Sequence, residues 1–125
     1  MIYACMSPQT RVTVVRRVRV LSIDSLVGCL LLCVQVGRSL YLSGKHKQAI
    51  DVYEEAQRIG IDDWEVYHNK GLCHLYLKNY AQAIDDFKQA NAIQRHDATY
   101  MQLGKVYTLQ ENYEAAIDVY LEALE

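Results

Sequence analysis

One feature limits the fold of this chain more than any other: a four-position signature that returns three times in one register. Gly37, Ala49, Tyr53 and Ala56 recur as Gly71, Ala83, Phe87 and Ala90, and again as Gly104, Ala116, Tyr120 and Ala123. The first step is 34 residues and the second is 33. Gly, then Ala twelve positions on, an aromatic four further and Ala three further describe two short helices packed as an antiparallel pair. The Gly and the first Ala are small because the helix axes come close there. The aromatic and the last Ala follow one and two turns along, on the same face. A large residue at such a contact overpacks it, at about 1–3 kcal/mol. The expected fold is therefore all-α: a solenoid of about three antiparallel helix hairpins, with its core built between neighbours.

The 125 residues suit one domain by length, and a single proline favours helix throughout. The net charge of −2 hides an asymmetry. Residues 1–33 carry Arg11, Arg16, Arg17 and Arg19 against Asp24 alone, whereas residues 34–125 hold 9 basic and 14 acidic side chains. An acidic repeat region argues against nucleic acid as the main partner. The four cysteines, Cys5, Cys29, Cys33 and Cys73, form no CxxC pair. They read as reduced thiols rather than metal ligands, with Cys73 a small residue on a packed helix.

Residues 1–29 form an extension of uncertain structure. Arg11 to Leu21 is rich in β-branched residues and could make an edge strand, but no partner strand follows. Leu26 to Val36 is an apolar run of 11, too short to cross a bilayer. No small-x-small cleavage site follows it. The segment before Leu30 is either an irregular extension or a helix covering the first hairpin.

The hairpins then run 30–63, 64–96 and 97–125, the last truncated. In the first, Cys33, Val36, Gly37 and Leu40 face inward and Gly44 ends the helix in a left-handed cap. Ala49, Ile50, Tyr53 and Ala56 line the second helix, which Gly60 ends. In the second hairpin, Asp62 with Glu65 reads as an N-cap and capping box. Its interior holds Tyr67, Gly71, His74, Tyr80, Ala83, Ile84, Phe87 and Ala90. Asp97 caps the third, whose inner face is Tyr100, Leu103, Gly104, Tyr107, Tyr113, Ala116, Ile117, Tyr120 and Ala123. Stopping at Glu125 leaves the apolar side of the last helix open, as in a piece of a longer array. A stride near 34 with this pattern is that of the tetratricopeptide repeat. In that register Lys70 takes a slot that usually holds Leu, and His74 one that usually holds Tyr.

No catalytic motif, phosphate loop, cofactor site or metal quartet appears. The carboxylate pairs Glu54-Glu55, Asp62-Asp63 and Asp85-Asp86 read as solvated helix faces or caps. The chain is expected to be non-enzymatic, without cofactor, nucleic-acid partner, membrane insertion or small-molecule substrate. What hairpin arrays do form is a groove lined by the first helix of each pair. By register it shows Arg38, Tyr41, His68, Leu72, Tyr76, Met101, Lys105 and Thr108, with Asn69 and Gln102 at its edge. Tetratricopeptide co-chaperones grip a C-terminal carboxylate with Lys and Asn on the first helix, Asn on the third, and Lys and Arg on the fifth. Only Asn69 matches; Val34, Arg38, Ala98 and Gln102 occupy the others, so that ligand is disfavoured.

Residues outside the repeat signature carry a closer resemblance. Gly44-Lys-His-Lys47, Asp63-Trp64, His68-Asn69, Tyr76-Leu-Lys78 and Arg95-His-Asp97 are not demanded by the repeat. With their surroundings, over about residues 35–125, they resemble the tetratricopeptide region of the Bardet-Biedl syndrome 4 family, subunits of the BBSome. The resemblance implies a scaffold in a coat-like complex that moves membrane proteins into and out of cilia. It implies other BBSome subunits as partners, with links to centriolar satellites and microtubule motors. The implied places are the cytoplasm, the centrosome and its cytoskeleton, the ciliary base and the cilium. Two other readings remain: a free-standing peptide-binding adaptor, of co-chaperone or enzyme-targeting type, and a regulatory segment of an enzyme.

Overall fold

A computed structural model describes residues 23–125. These residues form α1 (Ile23–Leu42), α2 (His46–Arg58), α3 (Trp64–Tyr76), α4 (Tyr80–Ile93), α5 (Asp97–Leu109) and α6 (Tyr113–Leu124), with no strand among them. The chain divides into two compact units, Met1–Asp62 and Asp63–Glu125. The division falls between the first and second repeats. The strand considered over Arg11 to Leu21 lies outside the described residues.

Within the first unit, α1 and α2 pair as a hairpin. Helix α1 starts at Ile23, seven residues before the expected Leu30, and runs for 20 residues. No described helix is long and apolar enough to cross a membrane. A methyl group added at Gly37 would collide with the ring of Tyr53, so this contact tolerates only glycine. Leu40, Ala49, Ile50, Val52, Tyr53 and Ala56 are buried. Val34 is buried too, while Cys33 and Val36 are only half-buried.

In the second unit α3 pairs with α4 and α5 with α6, and α5 packs on α4. Ala83 and Phe87 of α4 meet Leu103 and Val106 of α5 in the core, flanked by Leu72, Leu75, Tyr80, Ile84, Tyr107 and Val119. Gly71 backs onto Phe87, and an added Cβ would stand 2.8 Å from the ring. Gly104 backs onto Tyr120 in the same manner.

All three hairpin turns close alike. Lys45, Asn79 and Asn112 donate their backbone N–H to Leu40, His74 and Tyr107, and the residue before each donates to Tyr41, Leu75 and Thr108. This is the Schellman pattern, which places one residue in the left-handed region. That residue is Gly44 at φ +83, then Lys78 at +62 and Glu111 at +61. Gly60, at φ +88, ends α2 as expected.

Four expectations need correction. The α3 cap is Asp63, whose carboxylate accepts from the Glu65 backbone N–H at 3.1 Å; Asp62 lies one residue too early. The α5 cap is the extended residue His96, and Asp97 sits in the first turn, where its charge favours the positive end of the helix dipole. Tyr113, Ile117 and Tyr120 are exposed, because no described helix covers that side of α6. Asp86 is buried rather than solvated, because Lys70 and His74 face its carboxylate from α3.

Candidate functional site

The face carried by α3 and α5 follows from helical spacing. His68, Leu72 and Tyr76 recur every four residues on α3, as do Met101, Lys105 and Leu109 on α5. Tyr76 and Met101 are each 64% exposed, and Leu109 is 50% exposed. Lys105 and Thr108 are exposed, while Leu72, Asn69 and Gln102 are half-buried. The Thr108 hydroxyl donates to the Gly104 carbonyl at 2.9 Å, which holds it against its own helix. The surface is thus mostly apolar, with Lys105 its one lysine.

His68 belongs to the joint between α3 and α5 rather than to the open surface. Its Nδ1 lies 2.9 Å from Thr99 Oγ1, and its ring packs 5.6 Å from Phe87 and 5.8 Å from Trp64. Burial, and then the nearby His96, hold its pKa below the ordinary histidine value. Trp64 in turn stacks on His96, with ring centroids 3.8 Å apart. Repeat spacing gave no sign of this joint, because Trp64 and His96 are both outside the signature. Arg38 and Tyr41 share α1 in the other unit. Arg38 is exposed, and Tyr41 packs edge-on against His46 at 5.2 Å.

At the far end of α5, Arg95 stacks over Tyr100 at 5.1 Å and donates to the Glu122 carbonyl at 2.6 Å. The Tyr100 hydroxyl donates to the Glu122 carboxylate at 3.1 Å. Burial, then that hydrogen bond, raise the Tyr100 pKa. These contacts tie α6 to the start of α5. The face presents side chains for contact, while the Thr99 hydroxyl beside the His68 imidazole is fully buried in the joint.

The tetratricopeptide repeat family matches residues 64–95 and again 98–125. BBSome complex member BBS4 of Bos taurus is 47% identical over 91 residues, covering 73% of this chain and 18% of the relative. The Mus musculus protein of the same name is 46% identical over the same shares. This is a BBS4-like tetratricopeptide-repeat segment. It spans 18% of the length of those relatives. The BBS4-like segment also resembles the second TPR of Spaghetti (RPAP3) bound to the HSP90 peptide SRMEEVD, with TM-score 0.72 at 17% identity. That likeness covers 82% of this chain and 97% of the other, and shows the fold alone. Fold and relatives together make the segment a protein-interaction scaffold.

Proposed function

We propose that this segment is a non-catalytic piece of BBSome scaffold, acting in the ciliary traffic of membrane proteins and in cilium assembly. The observation that carries the reading is the 47% identity to BBS4 over 91 residues, which joins a specific relative to a fold shared by many proteins. Other BBSome subunits are then its partners, with centriolar-satellite and motor-linked proteins beyond them. Its places of work are the cytoplasm, the centrosome and its satellites, the ciliary base and the cilium. The surface offered is the α3/α5 face, with Leu72, Tyr76, Met101 and Lys105 as its contact side chains and Asn69 and Thr108 at its margin. Arg38 and Tyr41, on α1 of the other unit, are proposed contact side chains of that unit by itself.

The competing adaptor reading needs a grip on a chaperone tail. Val34, at one place where that grip requires a polar side chain, is buried, which weighs against it. Affinity capture from ciliated cells with the whole 125-residue chain tests the choice. Recovery of BBSome subunits is expected, and loss of that recovery on Met101→Glu would assign it to this face. Recovery of chaperones through their C-terminal tails, without BBSome subunits, would instead favour the adaptor.

A further inference from the structure

The three hairpins share three interior slots that the small-residue signature does not include. In the first repeat they hold Val36, Leu40 and Val52, and in the third Leu103, Tyr107 and Val119. In the second alone they hold Lys70, His74 and Asp86. All three ionisable residues sit inside: their side chains are 15%, 8% and 7% exposed. Lys70 Nζ lies 3.8 Å from one oxygen of Asp86, and His74 Nε2 lies 3.6 Å from the other. Lys70 and His74 are one turn apart on α3, so a single carboxylate on α4 reaches both. Slots that are apolar or aromatic in the other two repeats are ionisable in this one, and the three side chains complement one another in charge.

Such a cluster is a poor means of adding stability, since well-packed apolar side chains in its place are often as good or better. It is a strong means of discrimination, because a cation buried without its counter-charge is severely penalised. An array of near-identical hairpins needs discrimination. Helix α6 carries the same Ala-aromatic-Ala signature as α4, and so does α2. Opposite either of those helices, Lys70 and His74 would face Val52 or Val119 where Asp86 should be. We propose that Lys70, His74 and Asp86 form a pairing key that makes α4 the only second helix α3 can accept. The key acts during assembly of the array, and it stands independently of any ciliary role.

The test refolds the full chain from denaturant and measures the off-pair, associated fraction by size-exclusion chromatography with light scattering. K70L/H74Y/D86V gives the second repeat the side chains of the third. Its thermal midpoint should equal or exceed that of the parent, while its off-pair fraction rises at least ten-fold. D86V/V119D moves the acid alone to α6 and should misassemble at least as heavily. Adding L103K/Y107H/V119D to the apolar triple variant moves the whole key to the third repeat and should restore clean refolding. An off-pair fraction unchanged in the first two variants would overturn the key. So would a rise that the whole-key transfer fails to reverse, because apolar repacking would then be the cause.

Discussion

The second and third hairpins make the same internal contact and end in different surroundings. Gly71 meets Phe87 as Gly104 meets Tyr120. Yet Phe87 is 0% exposed, because α5 lies over α4, whereas Tyr120 is 40% exposed. The glycine–aromatic contact is made inside a hairpin and needs nothing else. Burial of the outer side of the second helix needs another helix, and α6 keeps Tyr113, Ile117, Leu121 and Leu124 exposed. A repeat therefore carries half of its core in itself and borrows the rest from its neighbour.

Truncating the two aromatics should separate those halves most sharply. Phe87→Ala should cost about 3–5 kcal/mol, the range for a fully buried aromatic. Tyr120→Ala should cost about half as much, since part of its surface is already in water. Denaturant unfolding of the full chain measures both, and equal costs would break the comparison.

The glycines give the next largest difference. Gly71→Ala should destabilise by about 1–3 kcal/mol, because Phe87 is enclosed and cannot retreat. At Gly104 the half-exposed Tyr120 can swing outward, so the same change should cost less. A larger loss at Gly104 would show that Tyr120 is held as firmly as Phe87.

A smaller effect depends on pH. His68 has Met101 as its counterpart in the third hairpin, so only the second carries an imidazole at this position. The folded state holds His68 below its ordinary value of 6.5, so the unfolded chain takes up the proton first. Its contribution is therefore fully present above about pH 6.5 and is lost as the pH falls through the lower folded value. His68→Gln keeps a side chain able to reach Thr99 and should flatten the acid side of the stability profile. A profile identical to that of the parent would remove His68 as the cause.

The smallest expected changes lie in the turns. Lys78→Gly and Glu111→Gly should each stabilise by about 0.5–1 kcal/mol, because both replace a side chain at positive φ. Gly44→Ala should lose about 1 kcal/mol at the matching place in the first hairpin. Thermal melts of the three variants check the sign.

Much of this was legible because it is local. The recurrence of Gly37, Gly71 and Gly104 and of their aromatics follows from the repeat stride, and Gly44 marked its turn; that each glycine meets the aromatic ring rather than the first Ala was set by how the two helices pack. Lys78 and Glu111 do not look like turn residues; the hydrogen bonds of the turn select their conformation. Asp86 looked solvated because its neighbour Asp85 is, and its partners Lys70 and His74 stand on another helix. The joint of Trp64, His68, His96 and Thr99 was hidden for the same reason, its members being up to 35 positions apart.

Sequence by itself determined that this chain makes helix hairpins, how long each stride is and where the small and aromatic residues recur. Those outcomes depend on side chains within about one repeat of each other. Only the tertiary structure decided which faces end up dry, which caps hold the helix ends and which charges are enclosed together. Burial is a property of what lies opposite, and for a helix surface the opposing residues come from elsewhere in the chain.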